Sequence, residues 1–385
     1  MRILHTSDWH IGRTFHQHST LEALGQVLDA LVDLVARHEV DMVVVAGDVF
    51  DSSMPSADAV RELDRVLVAL SRTGATVLVT SGNHDSPVRL GARAAFTAEV
   101  GVHVLTRPEE LARPVTVHDA HGPVHVYGIP FLEPTLVRHL WPAERGRSQA
   151  AVMRCALAEV RSDLESRGGG RSVVVAHTFV NGAEGESCES ERGITSGGVD
   201  RVPVPAFDGF DYVALGHIHG RSTLAPGVRY SGAPLHLSFS EQDKPRGAWL
   251  VDLGEEGLEA VTWLDLPVPR PLVTVEGELT DLLEDPDLAV HEGAWVRARL
   301  TDRTRPLDPM RRLQVRFPHC AVLDFVGRTP SSPERTDRQR LVTLSDDEVV
   351  GEFLRHVREG EGPSEAEEAL VHEALGAVRA GVSSR

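Results

Sequence analysis

The sequence predicts an α/β protein built around a parallel sheet, with a smaller part appended after it. Two apolar runs, over 41–46 and 76–80, have the continuous hydrophobicity of buried parallel strands. Each follows a segment with helical apolar spacing, and 385 residues are enough for one large domain and a smaller one. Because crossovers between parallel strands have one hand, these strands deliver their carboxyl ends to one edge of the sheet. Open α/β sheets bind ligands at that edge.

Apolar spacing extends this pattern along the chain. A first strand over 3–7 precedes a helix that begins at Thr20, and a second helix covers 60–70. Residues 100–134 have the pattern of irregular strands and turns. The remaining predicted elements are a helix over 152–164 and strands over 172–176 and 212–216.

A proline-rich stretch over 266–271 breaks regular structure and is the best candidate for a domain boundary. After it, 294–300 alternates like a strand with one buried face, and 311–315 resembles a second strand. The polar segment 327–340 is typical of a linker. The predicted domains are therefore a catalytic domain over 1–268, a small α+β domain over 272–340 and a helical tail over 345–380.

The tail predicts two matched amphipathic helices. Each begins with a capping box, formed by Ser345 with Glu348 and by Ser364 with Glu367. Their apolar positions include Val350, Phe353, Leu354, Leu370, Ala374 and Leu375. These faces dock either on a partner or back on this chain, and the second alternative stays open because most helix stability comes from such packing.

Charge and composition exclude several classes of protein. A net charge of −18 argues against binding nucleic acid through broad electrostatic attraction, so a phosphate-bearing substrate must be held locally. No stretch approaches the roughly 20 apolar residues that span a bilayer, and the amino-terminal residues turn polar too soon for a signal peptide. Cys155, Cys188 and Cys320 form no CxxC pair. We expect a cytoplasmic protein with reduced cysteines and no membrane contact.

Side chains of metal-ligand type follow five of the predicted strands. Alone, an Asp-x-His pair or a Gly-Asp turn means little. Folding requirements alone rarely place such residues at five successive strand ends. The set is Asp8, His10, Asp48, Asn83, His177, His217 and His219.

This set is too large for one ion. Two carboxylates, one amide oxygen and four imidazoles suit two octahedral divalent ions such as manganese or iron, with Asp48 bridging them. Two such ions bring four positive charges, of which Asp8 and Asp48 cancel two. The site then stays positive inside an acidic protein and attracts a phosphodiester.

His84 is predicted to act on the substrate rather than on a metal. It directly follows Asn83, so the two side chains are expected to diverge. We expect His84 to act as the general acid, with Asp85 holding its imidazole protonated and oriented.

The motifs around these residues resemble the signature of the calcineurin-like metallophosphoesterases. They are Asp8-x-His10, Gly47-Asp48, Gly82-Asn83-His84-Asp85, Ala176-His177 and Gly216-His217-x-His219. The stretches 4–13, 211–219 and 230–234 further resemble the DNA repair nucleases within this superfamily.

The resemblance implies a four-layered α/β sandwich, a small α+β capping domain that faces DNA, and a C-terminal helical tail. It implies two divalent ions, most readily Mn²⁺, one held by Asp8, His10, Asp48 and His219, the other by Asp48, Asn83, His177 and His217. It also implies a homodimer through helices over 58–70 and 87–98, and a partner ABC-type ATPase with a long coiled coil that binds the tail, all working on DNA at the nucleoid.

The sequence is compatible with three functions. The first is a metal-dependent DNA nuclease, exonucleolytic and endonucleolytic, that works with the ATPase. The second is a phosphomonoesterase or cyclic-nucleotide phosphodiesterase on the same scaffold, for which the appended domain and tail have no evident use. The third is a scaffold subunit with an inert site, against which the intact ligand set argues.

Overall fold

The computed structural model describes residues 1–142, 148–182, 201–326, 344–358 and 361–382. The chain divides into two compact units, Met1–Leu272 and Val273–Arg385. The linker predicted over 327–340 and Cys188 lie outside the described residues, whereas Cys155 and Cys320 are free thiols, as predicted. None of the described helices is long and apolar enough to cross a membrane.

The first unit alternates strands and helices. In chain order its strands are β1 (Arg2–Thr6), β2 (Thr14–Phe15), β3 (His18–Ser19), β4 (Met42–Ala46), β5 (Thr76–Thr80), β6 (Val102–Leu105), β7 (Val115–Asp119), β8 (Gly122–Ile129), β9 (Arg171–His177), β10 (Tyr212–Gly216), β11 (Ser222–Ala225), β12 (Val228–Tyr230), β13 (Gly247–Gly254) and β14 (Gly257–Asp265). Its α-helices are α1 (Leu21–Arg37), α2 (Ala57–Arg72), α3 (Pro87–Leu90), α4 (Ala94–Ala98), α5 (Pro134–Val137) and α6 (Gln149–Ser166).

Two six-stranded sheets form the middle of this unit. The first has the order β14-β13-β1-β4-β5-β6, in which β1, β4, β5 and β6 are parallel. The second has the order β11-β12-β10-β9-β8-β7, with β8, β9, β10 and β12 parallel. Two separate sets of parallel strands therefore direct their carboxyl ends toward the ligand-bearing loops.

Apolar side chains join the layers into a helix–sheet–sheet–helix sandwich. Val44 of the first sheet and Val175 of the second belong to one buried cluster between the two sheets. On the outer side of the first sheet, α1 and α2 contribute Leu28 and Val66 to a second cluster. On the outer side of the second sheet, α6 contributes Ala156 to a third. The expected four-layered sandwich is thus confirmed.

Two segments of this unit differ from or refine the sequence prediction. The helix expected over 87–98 is two short helices, because a 3₁₀ turn at Gly91–Arg93 separates α3 from α4. Glycine is a poor helix former, which explains why the interruption falls there. The irregular segment over 100–134 contains β6, β7 and β8, which extend both sheets at one edge.

The second unit is a small α+β domain followed by the tail helices. Its elements are β15 (Leu272–Gly277), which starts at the boundary, α7 (Leu279–Glu284), β16 (Trp295–Leu300), α8 (Pro309–Arg316), β17 (Cys320–Phe325), α9 (Asp346–Val357) and α10 (Glu365–Val382). Strands β15, β16 and β17 form a three-stranded sheet. The strand predicted over 294–300 is β16.

The strand expected over 311–315 is wrong, because these residues lie in α8. Proline at the first position of a helix is favourable, and Pro309 stands there. Only Leu313 of the segment is buried, whereas Val315 is 84% exposed. Its alternation of polar and apolar residues therefore reflects a short helix with one buried side chain.

The tail helices have the predicted caps. The Ser345 hydroxyl accepts from the Glu348 backbone N–H while the Glu348 carboxylate accepts from the Ser345 N–H. Ser364 and Glu367 exchange the same pair of hydrogen bonds. The buried core of the second unit contains none of the described tail residues.

Candidate metal centre

The loops that follow β1, β4 and β5 in the first sheet meet the loops that follow β9 and β10 in the second. Two glycines permit this approach. A Cβ atom on Gly216 would lie 1.8 Å from the Ala46 carbonyl oxygen, and one on Gly47 would lie 2.5 Å from His177 Nδ1. The two strand ends can therefore converge only without side chains at these positions.

The backbone of these loops is held in an unusual conformation. Asp8, His10 and Asp48 have φ angles of 54°, 46° and 50°, and His217 has a φ of 111°. Such angles are uncommon for residues other than glycine and cluster at functional sites. The loops brace one another, since Asp8 N donates to Gly47 O at 3.0 Å and His217 N donates to the Asp8 carboxylate at 3.1 Å.

One half of the cluster contains Asp8, His10 and His219. Each offers a ligand atom, all within 4.8 Å of one another, and all three side chains are buried. His10 Nε2 and His219 Nε2 lie 3.2 Å apart. Two imidazoles that converge in this way can share an ion with the carboxylate beside them.

The other half contains Asn83, His177 and His217. The Asn83 side-chain oxygen lies 2.9 Å from His177 Nε2 and 3.3 Å from His217 Nδ1. The His177 Nδ1–H donates to the Ala46 carbonyl at 2.9 Å. This bond fixes the tautomer, so that Nε2 presents its lone pair to the cluster.

Asp48 lies between the two halves. Its Oδ2 is 3.6 Å from His10 Nε2 and 3.5 Å from His177 Nε2, while its Oδ1 accepts from the His84 backbone N–H at 2.9 Å. The structure therefore brings all seven predicted residues into one cluster with Asp48 in the middle, and all of them except the half-buried Asn83 are buried. One carboxylate oxygen faces both halves, which is the placement that a bridging ligand requires.

The electrostatics of the cluster are compatible with a divalent metal site. Burial lowers the pKa of His177, and lowers the pKa of His10 and of His217 well below the ordinary value, so these rings are neutral. Burial also raises the pKa of Asp8 to about 6. Carboxylates buried among neutral imidazoles are unfavourable unless a cation compensates them, and neutral imidazoles supply the lone pairs that bind one.

His84 lies at the edge of this cluster, and its neighbours differ from the prediction. Its Nδ1–H donates to the backbone carbonyl of Asp51 at 2.8 Å, and its Nε2 lies 4.0 Å from Asp48 Oδ2. The Asp85 carboxylate instead accepts backbone N–H bonds from Gly82, Val49 and Phe50 at 2.8 to 3.1 Å. The expectation that Asp85 orients the imidazole is therefore wrong. Asp85 shapes the loops, and Asp51 holds the ring.

Asp51 is a residue of this site that the sequence reasoning missed. Its Oδ1 accepts from Arg13 Nη1 at 2.8 Å and lies 3.3 Å from His10 Nδ1, without the alignment of a hydrogen bond. Although burial raises it, contacts with His10 and Arg13 bring the pKa of Asp51 down to about 2. The signal was its position three residues after Asp48, on the same loop.

Other buried groups support the site from behind. Ser7 Oγ donates to Asp8 Oδ2 at 2.5 Å and lies 2.8 Å from Ser231 Oγ. Glu241 Oε1 lies 3.7 Å from His219 Nδ1. None of these three residues, Ser7, Ser231 and Glu241, is part of a ligand motif, so only the structure reveals their contacts.

Comparison with known families assigns the chain. A family model described as calcineurin-like phosphoesterase matches residues 1–221, more than half of the chain. The chain belongs to the calcineurin-like phosphoesterase family. Residues 268–358 match a second model, described as type 5 capsule protein repressor C-terminal domain. The family expected from the motifs is thus confirmed.

Individual relatives agree with this assignment. The chain is 28% identical over 362 residues to the D subunit of the SbcCD nuclease from Staphylococcus saprophyticus, and the match covers 93% of each chain. Among solved structures, the protein TT1561 of Thermus thermophilus is 16% identical, covers 68% of this chain and 98% of its own, and has a TM-score of 0.40. A dimetal phosphatase from Danio rerio is 14% identical, covers 69% and 99%, and has a TM-score of 0.41. At such TM-scores these two likenesses add nothing to the family assignment.

Proposed function

We propose that this chain is a metal-dependent DNA nuclease, a double-strand exonuclease and a single-strand or hairpin endonuclease that hydrolyses phosphodiester bonds. The observation that carries the proposal is the convergence of all seven predicted ligands in one cluster, in which Asp48 Oδ2 faces His10 and His177. The similarity to a nuclease subunit along 93% of both chains supports DNA as the substrate, since it includes the second unit as well as the site.

The residues divide between two ions, for which Mn²⁺ is our first choice. Asp8, His10, Asp48 and His219 would hold one ion, and Asp48, Asn83, His177 and His217 the other. When bound, two such ions supply the positive charge that attracts a phosphodiester and stabilises its transition state. The contact distances around Asp48 support its role as the shared ligand.

His84 completes the chemistry as the general acid. Because Asp51 O accepts its Nδ1–H, the opposite nitrogen, Nε2, faces the cluster. A proton on Nε2 can then pass to the leaving oxygen of the substrate. The Asp51 carboxylate lies 4.0 Å from His84 Nδ1.

Exposed arginines in the second unit support a DNA-facing capping domain. Residues 273–292 carry seven acidic side chains and no lysine or arginine, whereas 293–326 carry seven arginines and three acidic side chains. Three of these arginines form ion pairs, with Asp324, Glu276 and Glu292. The other four are exposed and form no ion pair within the described residues. We call them the arginine patch: Arg303, Arg305, Arg311 and Arg312. Arg305 stacks on the Phe325 ring at 4.4 Å, which leaves its charge without a carboxylate partner. Exposed arginines of this kind bind phosphates.

The tail is the proposed docking site for an SbcC-type ABC ATPase with a long coiled coil. Phe353 is 62% exposed, Val357 58% and Leu370 64%. Apolar side chains on capped helices that stay this exposed are typical of interaction surfaces. The complex would process DNA double-strand breaks and hairpins at the nucleoid, in the cytoplasm.

A homodimer is the second proposed assembly. A groove of about 560 Å³ lies between α2 and the α3–α4 segment. Beside it, Met54, Val88 and Phe96 are 71%, 82% and 81% exposed. Leu63, in contrast, is buried in the chain's own core, so a charge there would test folding rather than association. Phe96→Asp should convert a dimer into a monomer in light scattering; an unchanged dimer would place the interface elsewhere.

The decisive experiment offers the purified protein several substrates with Mn²⁺ present. Linear duplex, hairpin and single-stranded DNA are compared with a chromogenic phosphomonoester and a cyclic nucleotide. We expect DNA to be cleaved with a much higher kcat/KM than either small substrate. A preference for the monoester or the cyclic nucleotide would favour a small-molecule phosphoesterase, and no hydrolysis with metal bound would favour a scaffold subunit.

A further inference from the structure

A buried ion pair lies behind the predicted metal ligand His219. Glu241 is 0% exposed and Arg246 2% exposed, and Glu241 Oε2 lies 3.3 Å from Arg246 Nη1. Burying two charges is costly, and such a pair often stabilises a protein no better than apolar side chains of the same size. A gain in stability therefore does not explain this pair, and its contacts with His219 are the better explanation.

Both members of the pair contact His219. Glu241 Oε1 lies 3.7 Å from His219 Nδ1, and Arg246 Nη1 donates to the His219 carbonyl at 2.8 Å. The same Nη1 donates to the Ala233 carbonyl at 3.0 Å. Arg246 thus holds the backbone of His219 by a hydrogen bond, and Glu241 places a negative charge beside its ring, although neither side chain belongs to a ligand motif.

The surroundings keep the glutamate in one place. Glu241 Oε2 accepts from the Leu237 backbone N–H at 3.1 Å, and Glu241 Oε1 accepts from the Ser238 hydroxyl at 3.0 Å. A carboxylate anchored in this way favours a proton on the nearby ring nitrogen, Nδ1. The opposite nitrogen, Nε2, then presents a lone pair toward His10 Nε2, 3.2 Å away.

We propose that Glu241 and Arg246 are positioning residues for His219, which set its tautomer and its place in the ion site that it shares with Asp8 and His10. The inference rests on the proposed metal centre. A carboxylate that orients a ligating histidine strengthens metal binding, and removing it typically costs roughly 10- to 100-fold in affinity.

The test measures metal binding, not catalysis. Metal-free protein is titrated with Mn²⁺ by calorimetry, and the Co²⁺ form is examined by visible absorption. Glu241→Gln should bind one Mn²⁺ as the unchanged chain does and the other roughly 10- to 100-fold more weakly, with an altered Co²⁺ spectrum. If this variant does not fold, Arg246→Lys is titrated instead and should weaken the same site.

A matched control separates positioning from stability. Asp119 and Arg171 form another ion pair of the first unit, with Arg171 Nη2 2.5 Å from Asp119 Oδ1, and contact none of the predicted ligands. Asp119→Asn should lower the melting temperature and leave Mn²⁺ affinity and the Co²⁺ spectrum unchanged.

A double variant tests whether Glu241 acts through His219. In a chain that already carries His219→Gln, adding Glu241→Gln should cause no further loss of Mn²⁺ affinity. The effects of two residues that act through one another are not additive. Unchanged affinity and spectrum in Glu241→Gln, or an additive loss in the double variant, would overturn the inference while leaving the metal centre in place. No Mn²⁺ binding by the unchanged chain would overturn both.

Discussion

The two units of this chain differ in where the side chains proposed to act in nuclease function lie. In the first unit, Asp8, His10, Asp48 and His177 are at most 2% exposed. In the second, the arginine patch is exposed, and so are Phe353 and Leu370 at 62% and 64%.

Each arrangement is unfavourable for an isolated protein, but for a different reason. Buried carboxylates and imidazoles need a compensating ion, whereas exposed apolar helix faces need a covering surface. The proposed metal site of the first unit would therefore take all its protein ligands from one chain. The arginine patch and the tail of the second unit would act only against another molecule.

The largest expected effect is in the first unit. Replacing His84 with Gln should leave two bound metals and lower the cleavage rate by roughly 10² to 10⁴, because glutamine cannot act as a general acid. Elemental analysis and single-turnover cleavage measure the two quantities. His121→Gln is the control, since that histidine is exposed and lies far from the site in sequence.

His84 also lies in a possible ligand group with His10 and Asp48. Loss of one metal in His84→Gln would make it a ligand. Full activity of His84→Gln would show that His84 is not the general acid. Another group would then have to donate the proton to the leaving oxygen.

The second prediction concerns the tail. A chain that ends at Leu344 should keep its melting temperature and its metals, while losing stable binding to the ATPase. The reason is that the described tail contributes nothing to the core of its own unit. Full-length Phe353→Asp with Leu370→Asp should lose the same binding, and Val290→Asp, at a residue 80% exposed outside the tail, should not.

Aggregation or early melting of the truncated chain would show that the helices pack on this chain. Each large apolar side chain that becomes exposed would then cost about 1.5 to 3 kcal/mol. Tight ATPase binding without the tail would place the docking surface elsewhere.

The same contrast explains what the sequence could predict. Strand β4 is a continuous apolar run that ends in Gly47-Asp48, so both the strand and the position of Asp48 follow from local pattern. The positions of the other predicted ligands of the first sheet follow in the same way, because each comes after a strand of the same parallel set. The tail caps were equally local, since each depends on two residues three positions apart.

Contacts between distant segments could not be predicted from local pattern. Nothing in the sequence shows that β9 and β10 belong to a second sheet, or that Gly216 lies against Ala46. The mistaken role of Asp85 has the same cause. Adjacency to His84 in sequence suggested a contact, but a bend in the loop turns Asp85 toward the backbone of Val49 and Phe50.

The third prediction tests the exposed charges of the second unit. Arg311→Gln with Arg312→Gln should weaken duplex binding and reduce the slope of log affinity against log salt by about 0.9 for each phosphate that is no longer neutralised. Arg297→Gln with Arg299→Gln is the control, because those arginines are already paired with Asp324 and Glu276. Equal effects of the two double variants would mean that net charge alone matters and would count against a DNA-facing patch.

The smallest expected effect comes from a buried polar group of the first unit outside the ligand set. His5 of β1 is fully buried, with Nδ1 2.9 Å from the Tyr212 hydroxyl and Nε2 3.0 Å from the Leu215 carbonyl, so it ties the first sheet to the second. Burial lowers the pKa of His5 from 6.5 to about 3. Below pH 6.5 the unfolded chain therefore binds a proton on His5 that the folded chain does not bind. The free energy of unfolding consequently decreases as the pH falls.

Replacing His5 with Gln removes this contribution to the pH dependence of stability, together with the contacts to the Tyr212 hydroxyl and the Leu215 carbonyl. The variant should be less stable than the unchanged chain at pH 7, and the difference between them should narrow by about 2 kcal/mol at pH 5, since each unit of pH is worth about 1.4 kcal/mol for one group. Urea unfolding in the presence of a chelator measures both values, and His121→Gln should show no such narrowing. A constant difference between pH 7 and pH 5 would mean that His5 is protonated in the folded protein, and that the interface between the sheets tolerates a charge there.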